Sequence, residues 1–525
     1  MPTLTAAAKP HLNAGFLETR SELIKASTEV LPEKVVQFGE GGFLRGFVDW
    51  MIHGMNQKGL FGGRVVVVQP IAQGQVEKLN EQSGAYTLLM RGIEGGKVIE
   101  RQELITSISR GINPYSHFDD YLQCAHNADL RFIVSNTTEA GISYNSQDKL
   151  TDQPPASFPA KLTQLLLERY KAFGGDLSKG FVLLPCELID RNGDRLKETV
   201  LQTAANWGLA PEFIGWVKTA NTFTNTLVDR IVTGYPKDDI EALWNESGYR
   251  DDLFDTSEVF HLWVIEGPPS LSNELPLAAA GFNVIVADSM KPHRDRKVGI
   301  LNGAHTSTAL AAYLAGFDYV GDCMEDPLVA SFMRLAIYDE VIPTLTLPKA
   351  ELEIFAEAVF ERFSNPFIRH SLTSIALNSV SKYKARVLPS LERYVGLRGQ
   401  LPGRLTLALA SLIVFYRGTT IEGGALIGHR DGQPYRVMDN LPILEKMASY
   451  WSTFDGSTAG VHKLTDSVLQ QTDWWGKDLR EIPGMSKAIA RDISTILTRG
   501  IRAAMADAAG DATLLEETAA VVSAV

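Results

Sequence analysis

Short apolar runs alternate with segments of helical periodicity in the first half of the chain. Residues 34–38 form a β-branched run that ends on glycines, apolar residues then recur at helical spacing over 44–55, and a second apolar run covers 64–69. Two further strand-like runs occupy 131–134 and 180–186. Apolar strands that alternate with helices predict an α/β fold with a largely parallel sheet covered on both faces.

The second half has a different pattern, in which amphipathic helical segments follow one another and strand-like runs are scarce. These segments cover 328–338, 349–364, 372–380, 405–416, 441–451 and 486–505. Between the halves, residues 266–293 are rich in Pro, Ser and Gly, which is typical of a domain junction. We therefore predict two domains, residues 1–285 and 286–525, with a peripheral helix over the Ala-rich tail, 503–525.

The composition narrows the class of partner. The 525 residues are 45% hydrophobic and 21% charged, as in soluble globular proteins, and the net charge of −12 disfavours binding to nucleic acid or to an anionic membrane surface. The longest apolar run, 405–416, is too short to span a bilayer, and residues 1–31 lack the apolar stretch of a signal peptide. Cys124, Cys186 and Cys323 lie far apart without metal-ligand spacing. We expect a cytoplasmic protein with reduced core cysteines and no metal site.

A glycine turn follows the first apolar run. The order of strand, glycine turn, helix and strand predicts the first unit of a dinucleotide-binding fold. Gly39 and Gly41 would let the backbone approach a pyrophosphate, and the helix N-terminus would supply N–H groups. Phe43 stands in place of the usual third glycine, and the second run ends in Gln69 rather than in the acid that binds the adenosine ribose. The choice between NAD and NADP therefore stays open in this pattern.

Polar residues follow two later strand candidates. Asn136 and Thr137 come after the first, and Glu187 and Asn192 come after the second. Because ligands of parallel sheets bind at the carboxyl ends of strands, these side chains are candidates for a binding site, although each could also be a turn residue. The adjacent pair Asp229-Arg230 could be a surface ion pair or a buried pair that orients a site.

A predicted helix opens at residues 296–305 and runs towards Gly316, with Lys297, Asn302 and His305 in one short span. At 100° per residue, His305 falls about 80° and Asn302 about 140° round from Lys297, over roughly 12 Å of helix axis. The three side chains can therefore face one cleft as a base, an amide donor and a second titratable group. The alternative is that the lysine is solvated and that the other two are capping residues.

Four blocks, residues 39–45, 186–193, 223–231 and 297–305, occur in the order expected for the long-chain mannitol dehydrogenase family, which the chain resembles over nearly its whole length. The resemblance implies an N-terminal Rossmann-type dinucleotide-binding domain, a mostly α-helical C-terminal domain, an active site between them, NAD as the cofactor and no catalytic metal. It also implies the residues that bind NAD, which are Phe38, Gly39, Gly41, Gly42, Phe43, Arg45, Gln69, Asn136 and Thr137.

The resemblance further implies the catalytic roles. Lys297 is expected to be the general acid/base, and Asn192 and Asn302 are expected to hold the reacting oxygen. His305 would bind a substrate hydroxyl, and Asp229 would help to organise the site. These roles fit the oxidation of a secondary alcohol, because a base must take the hydroxyl proton while a hydride leaves the same carbon. A lysine in this role needs a pKa lowered from about 10.4 towards roughly 7–8.

The substrate implied by the resemblance is a sugar acid, with D-tagaturonate and D-altronate as the interconverted pair. Ser374 stands where polyol-oxidising relatives carry an arginine, which disfavours a polyol. The carboxylate needs a cation, for which Lys382 is the first candidate, followed by Arg369 and Lys384. The alternatives are reduction of fructuronate, oxidation of a polyol and, in a different class, non-catalytic sensing of NAD(H). The oligomeric state does not follow from the sequence.

Overall fold

The computed structural model describes residues 9–20, 31–138 and 140–510. The chain divides into an N-terminal unit, Met1–Met290, and a C-terminal unit, Lys291–Val525. The predicted tail helix over 503–525 lies outside the described residues from 511 onwards, and the part inside them belongs to a helix over Ile501–Ala509.

The N-terminal unit contains strands and helices in alternation. Its strands are β1 Glu33–Phe38, β2 Arg64–Val68, β3 Tyr86–Glu94, β4 Lys97–Ile105, β5 Ile108–Ile112, β6 Phe132–Ser135, β7 Val182–Pro185, β8 Thr222–Phe223, β9 Asn225–Asp229, β10 Asp255–Glu258, β11 Leu262–Glu266 and β12 Val284–Ala287. Its helices are α1 Ala14–Thr19, α2 Gly42–Leu44, α3 Trp50–Gln57, α4 Val76–Glu81, α5 Phe118–Gln123, α6 Phe158–Ala172, α7 Asn192–Asn206, α8 Pro211–Ala220, α9 Ile240–Ser247 and α10 Leu271–Glu274. A π-helical turn, Arg45–Asp49, joins α2 to α3.

A six-stranded parallel sheet forms the centre of this unit. The strand order is β5-β2-β1-β6-β7-β8, and each pair of neighbours is parallel. Counted along the sheet, this is the 3-2-1-4-5-6 order of a Rossmann fold, in which the strand order reverses between the first and fourth strands. The reversal lies between β1 and β6, so ligands are expected at the carboxyl ends of these two strands.

Both faces of the parallel sheet are buried. Alternate residues of β1 enter two separate apolar clusters, with Val35 in one and Val36 in the other. The same alternation holds in β2, where Val65 and Val66 lie in different clusters. This arrangement explains why the strands are apolar throughout. The predicted α/β fold with a Rossmann-type domain is confirmed.

The C-terminal unit is mostly helical. Its helices are α11 Lys291–Arg296, α12 Gly303–Leu314, α13 Val320–Glu325, α14 Pro327–Leu335, α15 Lys349–Phe363, α16 Leu372–Ile375, α17 Ser379–Arg386, α18 Leu388–Arg398, α19 Gly403–Phe415, α20 Leu441–Ser452, α21 Thr458–Leu469, α22 Thr472–Trp475, α23 Met485–Arg499 and α24 Ile501–Ala509. Two π-helical turns, Lys297–Asn302 and Ala336–Val341, extend α11 and α14. Within the described ranges, no helix is both long enough and apolar enough to cross a membrane.

Two of the predicted helices are broken by left-handed residues. The segment predicted over 486–505 is divided by Gly500, whose φ of +85° ends α23 before α24 begins. The segment predicted over 372–380 is divided between α16 and α17, and Asn378, the residue before α17, has a φ of +54°. Hydrophobic periodicity continues across both breaks, so it could not reveal them.

A small antiparallel sheet in the C-terminal unit was missing from the sequence prediction. It consists of β13 Ile421–Glu422, β14 Ala425–Arg430 and β15 Gln433–Val437. The hairpin turn between the last two strands is Asp431-Gly432, with φ values of +51° and +76°. Asp-Gly favours a type I′ turn, so this dipeptide was the signal that could have predicted the hairpin.

Candidate active site

In the glycine turn after β1, the main chain is exposed and unobstructed at one residue. Gly39 has a φ of +123°, and a Cβ there would lie 3.0 Å from the carbonyl oxygen of Asn136. A Cβ on Gly42 would lie 3.0 Å from Oδ1 of the buried Asp255. A Cβ on Gly41 would meet nothing within 4 Å, and Gly41 is exposed. Gly39 and Gly42 are therefore closely packed, whereas the backbone at Gly41 between them is accessible and lies at a helix N-terminus. An accessible backbone at this position suits the pyrophosphate of a dinucleotide.

Two residues predicted to bind the cofactor have side chains in the interior. The guanidinium of Arg45 donates to the carbonyl oxygen of Glu40 over 3.0 Å, and its Nε lies 3.9 Å from Oδ2 of Asp255. Arg45 is only 5% exposed. Phe38 is fully buried and packs on the ring of Phe158 at 4.9 Å between centroids. We expect both residues to act on the cofactor by shaping the glycine turn.

Gln69 stands at the end of β2, where the ribose-binding residue was predicted. Its side chain forms hydrogen bonds within the loop that follows it. Its Nε2 donates to the carbonyl oxygens of Ile71 and Ala72 over 2.8 Å and 3.1 Å. Its Oε1 accepts from the backbone N–H of Val76 over 3.5 Å, and the residue is 2% exposed. The side chain therefore holds the loop that leads into α4.

The carboxylate of Glu187 joins the ends of β6 and β7. Its Oε2 accepts from the hydroxyl of Ser135, and its Oε1 accepts from both the hydroxyl and the backbone N–H of Thr137, each over 3.0 Å. Burial raises the pKa of Glu187, and these donors oppose that shift. Asn136 adds a second link, because its Nδ2 donates to the carbonyl oxygen of Cys186 over 2.9 Å. The polar ends of these two strands are therefore held together as one rigid edge.

Asn192 is fully buried, and among the described residues its amide bonds to backbone groups and to the hydroxyl of Thr226. Its Nδ2 donates to the carbonyl oxygens of Pro185, Glu187 and Thr226 over 2.9–3.1 Å. Its Oδ1 accepts from the backbone N–H groups of Gly193 and Thr226 over 2.9 Å and 2.8 Å. Asn192 therefore ties the end of β7 to β9, and its predicted contact with the reacting oxygen stays a prediction.

Asp229 and Arg230 are both buried, so they do not form a surface ion pair, and the role of Asp229 in organising the site stays a prediction. The guanidinium of Arg230 donates to the carbonyl oxygen of Glu258 from two nitrogens, over 3.0 Å and 2.9 Å, and lies 4.0 Å from the ring centroid of Trp50. Burial lowers the pKa of Arg230 to about 9. Asp229 is the last residue of β9 and pairs with Leu262 of β11.

Lys297 and Asn302 are the first and last residues of a π-helical turn in the C-terminal unit. The predicted helix start at 296 is wrong, because the helix begins at Lys291 and continues through the π turn into α12. In a π turn the N–H of residue i+5 bonds to the carbonyl of residue i, so Asn302 stands one turn along from Lys297. The wider turn therefore brings the two side chains closer to one helix face than the 140° of a regular α-helix.

His305 is the third residue of α12, after Gly303 and Ala304, and its ring lies between two other rings. Its ring stacks on Phe363 at 4.2 Å between centroids and meets His370 edge to face at 5.0 Å. Burial, followed by the nearby His370 and the cations Arg362, Arg386 and Lys382, holds the pKa of His305 well below its usual 6.5. The imidazole is therefore neutral, and its buried Nε2 has no hydrogen-bond partner among the described residues.

The three candidate cations for a carboxylate differ in exposure and in their contacts. Lys382 is half-buried in α17, and its Nζ donates to the carbonyl oxygen of Ile375 over 2.8 Å. Arg369 is exposed, with its guanidinium 4.2 Å from the ring centroid of Tyr319. Lys384 is exposed two residues beyond Lys382, on another side of the same helix.

Arg386 was missed in the sequence analysis, although it stands one helical turn after Lys382 in α17. Burial lowers the pKa of Arg386, and burial followed by the charge of Arg386 lowers that of Lys382. The i,i+4 spacing of the two cations was the signal that could have found it. His370 was missed as well, because ring packing between separate segments has no local sequence signal. No group of three or more His, Cys, Asp or Glu side chains in the described part of the chain could hold a metal ion.

Replacement of Asn192 tests whether its amide serves the backbone or the reaction. Asn192→Ala should lower the free energy of unfolding by about 2–4 kcal/mol, because it leaves several buried backbone groups without partners. Urea unfolding measures the change, with Asn136→Ala as a control that removes a single side-chain bond and should cost about 1 kcal/mol. Unchanged stability with a selective loss of turnover would contradict the structural role and favour the contact with the reacting oxygen.

Comparison with known proteins identifies the family. Residues 33–279 match the Mannitol dehydrogenase Rossmann domain, and residues 289–497 match the Mannitol dehydrogenase C-terminal domain. The chain is 48% identical to an altronate oxidoreductase of Shigella flexneri and 47% identical to one of Escherichia coli O6:K15:H31, in each case over 90% of this chain and 96% of the relative.

Two solved structures share the fold. A substrate-free D-sorbitol dehydrogenase matches with a TM-score of 0.75 at 20% identity, covering 91% of this chain and 96% of that one. The mannitol 2-dehydrogenase of Pseudomonas fluorescens, in a ternary complex with NAD and D-mannitol, matches with a TM-score of 0.62 at 21% identity, covering 93% and 98%. The resemblance carried by the sequence motifs is thereby confirmed, and the chain belongs to the mannitol dehydrogenase family.

Proposed function

We propose that this protein is an NAD-dependent oxidoreductase that interconverts D-tagaturonate and D-altronate. The observation that carries the proposal is the identity of 47–48% with altronate oxidoreductases over 90% of the chain. The proposal also agrees with the Rossmann strand order and with the open glycine turn at the reversal point of the sheet. NAD, when bound, accepts the hydride from the substrate carbon or returns it.

The N-terminal unit would hold the cofactor. The exposed backbone at Gly41 and the helix N-terminus that follows it suit the pyrophosphate. Asn136 and Thr137 form the neighbouring edge at the end of β6, where the carbonyl oxygen of Cys186 holds the amide of Asn136 and the carboxylate of Glu187 holds Thr137. Because these groups are held by bonds to other strands, the site would need little rearrangement when the cofactor binds.

The C-terminal unit would move the proton. In the oxidation of altronate, Nζ of Lys297 would take the hydroxyl proton while the substrate carbon gives up a hydride, for which bound NAD would be the acceptor, and a C=O bond would form. In the reduction, Lys297 returns the proton to the oxygen. The side-chain amide of Asn302, one π turn along, would donate to this oxygen as negative charge develops on it.

His305 would orient the substrate without exchanging a proton. Burial and the surrounding cations hold the pKa of His305 well below the usual 6.5, so the ring stays neutral at physiological pH. Its unpartnered Nε2 can form a hydrogen bond with a substrate hydroxyl. A neutral ring also avoids adding one more positive charge beside Lys382 and Arg386.

The carboxylate of the sugar acid would be bound by Lys382 together with Arg386. Both belong to one helix at i,i+4 spacing, and both are half-buried, so their charges are less screened than those of exposed side chains. A carboxylate between them would offset the cost of keeping two cations close. Arg369 and Lys384 are exposed and are weaker candidates for this contact.

Initial rates with NADH and a panel of D-tagaturonate, D-fructuronate and D-fructose test the proposed substrate. The proposal predicts the highest kcat/KM with tagaturonate, because the carboxylate and the configuration of the hydroxyls must both match. A higher kcat/KM with fructose would contradict a sugar-acid substrate. A higher value with fructuronate would keep the enzyme class and replace the substrate.

Replacement of Lys297 tests the proton transfer. Lys297→Met should reduce kcat by about 10²–10⁴-fold, the usual contribution of a general acid/base, while the dissociation constant of NADH changes less than about twofold. Lys291→Met is the matched control, since Lys291 is exposed in the same continuous helix and pairs with Asp295. Equal activity of both variants would remove Lys297 from its proposed role.

Replacement of Lys382 tests the carboxylate contact. Lys382→Met keeps the length of the side chain and should raise KM for tagaturonate by about tenfold or more, with a much smaller effect on a neutral ketose. The pKa of Lys382 is lowered, so this lysine should lose its charge at a lower pH than an ordinary lysine does. KM for tagaturonate should therefore begin to rise at that lower pH. Lys384→Met is the control and should change neither value. Equal effects of Lys382→Met on both substrates would contradict the contact.

A further inference from the structure

The acid that usually binds the adenosine ribose of NAD is absent from its expected place. In Rossmann folds it stands at the end of the second strand and accepts a hydrogen bond from the ribose 2′-hydroxyl. Here that place is held by Gln69, whose amide is neutral and committed to Ile71, Ala72 and Val76. Discrimination between NAD and NADP therefore needs another group at the same edge of the sheet.

Glu40 reaches this edge from the glycine turn. β1 and β2 are parallel neighbours with Phe38 opposite Val68, so Glu40 and Gln69 both lie just beyond the carboxyl ends of adjacent strands. A Cβ at Gly74 would overlap both Oε1 of Glu40 and the carboxamide of Gln69. The carboxylate of Glu40 therefore lies against the loop that follows β2.

Backbone N–H groups surround this carboxylate. Those of Glu40 itself and of Gln75 stabilise its charged form, and so does the charge of Arg45. Burial raises the pKa of Glu40, and these three interactions oppose that shift. Glu40 is half-buried, so the residue is partly exposed to solvent.

We propose that Glu40 supplies the carboxylate that binds the adenosine ribose hydroxyls of NAD and repels the 2′-phosphate of NADP. The inference rests on the proposed function in one respect, namely that the N-terminal unit binds a nicotinamide dinucleotide. Glu40 takes the role that an acid after β2 has in other Rossmann folds, but it does so from the preceding glycine turn. The shared requirement is a carboxylate at one place in space rather than at one place in the sequence.

The cations near the turn do not discriminate between NAD and NADP. A cavity of about 710 Å³ is lined by residues that include Gly42, the cations Lys78, Lys237 and Arg250, and Asp252, which pairs with Arg250. Positive charge there attracts the phosphates of either dinucleotide, so it strengthens binding of both. The two cofactors differ at the 2′ position of the ribose. A carboxylate beside the ribose repels a 2′-phosphate because the two groups carry like charge.

Binding of NADH and NADPH to the full-length protein, without sugar acid, tests the inference. Protein fluorescence or calorimetry gives the two dissociation constants for the parent, for Glu40→Gln and for Glu77→Gln. Glutamine keeps the shape of Glu40, so Glu40→Gln should fold normally. Glu77 is exposed in the first turn of α4 and provides the same loss of charge near the same edge.

The parent should bind NADH at least about tenfold more tightly than NADPH, and Glu40→Gln should reduce this ratio by about tenfold or more. Glu77→Gln should leave the ratio unchanged. Glu40→Asp keeps the charge but shortens the side chain, so it should weaken NADH binding and still discriminate against NADPH. The parent protein alone offers a further test, because ADP-ribose should bind at least about tenfold more tightly than its 2′-phosphate derivative.

The outcomes separate this inference from the proposed function. If the parent binds neither dinucleotide, the proposed function fails. If the parent prefers NADH and Glu40→Gln keeps the same ratio, the role of Glu40 is overturned while the proposed function stands. A parent that binds NADPH as tightly as NADH would also overturn the role of Glu40.

Discussion

Strand β1 is enclosed on every side, with β2 and β6 along its edges and an apolar cluster on each face. A chain that leaves such a strand must turn sharply at its carboxyl end, and Gly39 makes this turn against the backbone of Asn136. Gln37, the buried polar residue of β1, donates to the carbonyl oxygen of Gly39 and to the carboxylate of Asp49 in the following helix. The strand, the turn and the helix are therefore one bonded unit, on which the candidate cofactor site depends.

Buried polar groups divide the predicted site residues into two kinds. Gln69 and Asn192 have amides that bond to backbone groups, because a buried polar atom without a partner costs free energy. They hold the loops around the site. Glu40 is partly exposed, and His305 has a neutral ring whose Nε2 has no hydrogen-bond partner among the described residues. Residues of this second kind are the better candidates for direct contact with a ligand.

In the C-terminal unit, the candidate cations for the carboxylate and the proposed general acid/base are different residues. Lys382 and Arg386 keep their cations on α17, and His305, which lies close enough to sense both, stays neutral because its charged form is disfavoured by burial and by these neighbours. A sugar acid would meet fixed positive charge for its carboxylate and a neutral donor or acceptor for a hydroxyl. The π turn from Lys297 to Asn302 then places the proposed base and the proposed amide donor on one part of a single helix.

The sequence by itself determined the features that depend on local pattern. Strand β1, the glycine turn, the helix after it and β2 could be predicted because apolar periodicity and glycine spacing act over a few residues, and the family blocks then indicated Lys297 and Asn302 as candidates. Tertiary structure decided what depends on residues far apart in the chain. It placed the carboxylate of Glu40 against the loop after β2 and enclosed the amide of Asn192 among backbone groups of β7 and β9. No local pattern records such contacts, because hydrogen bonding and desolvation depend on which atoms meet in space.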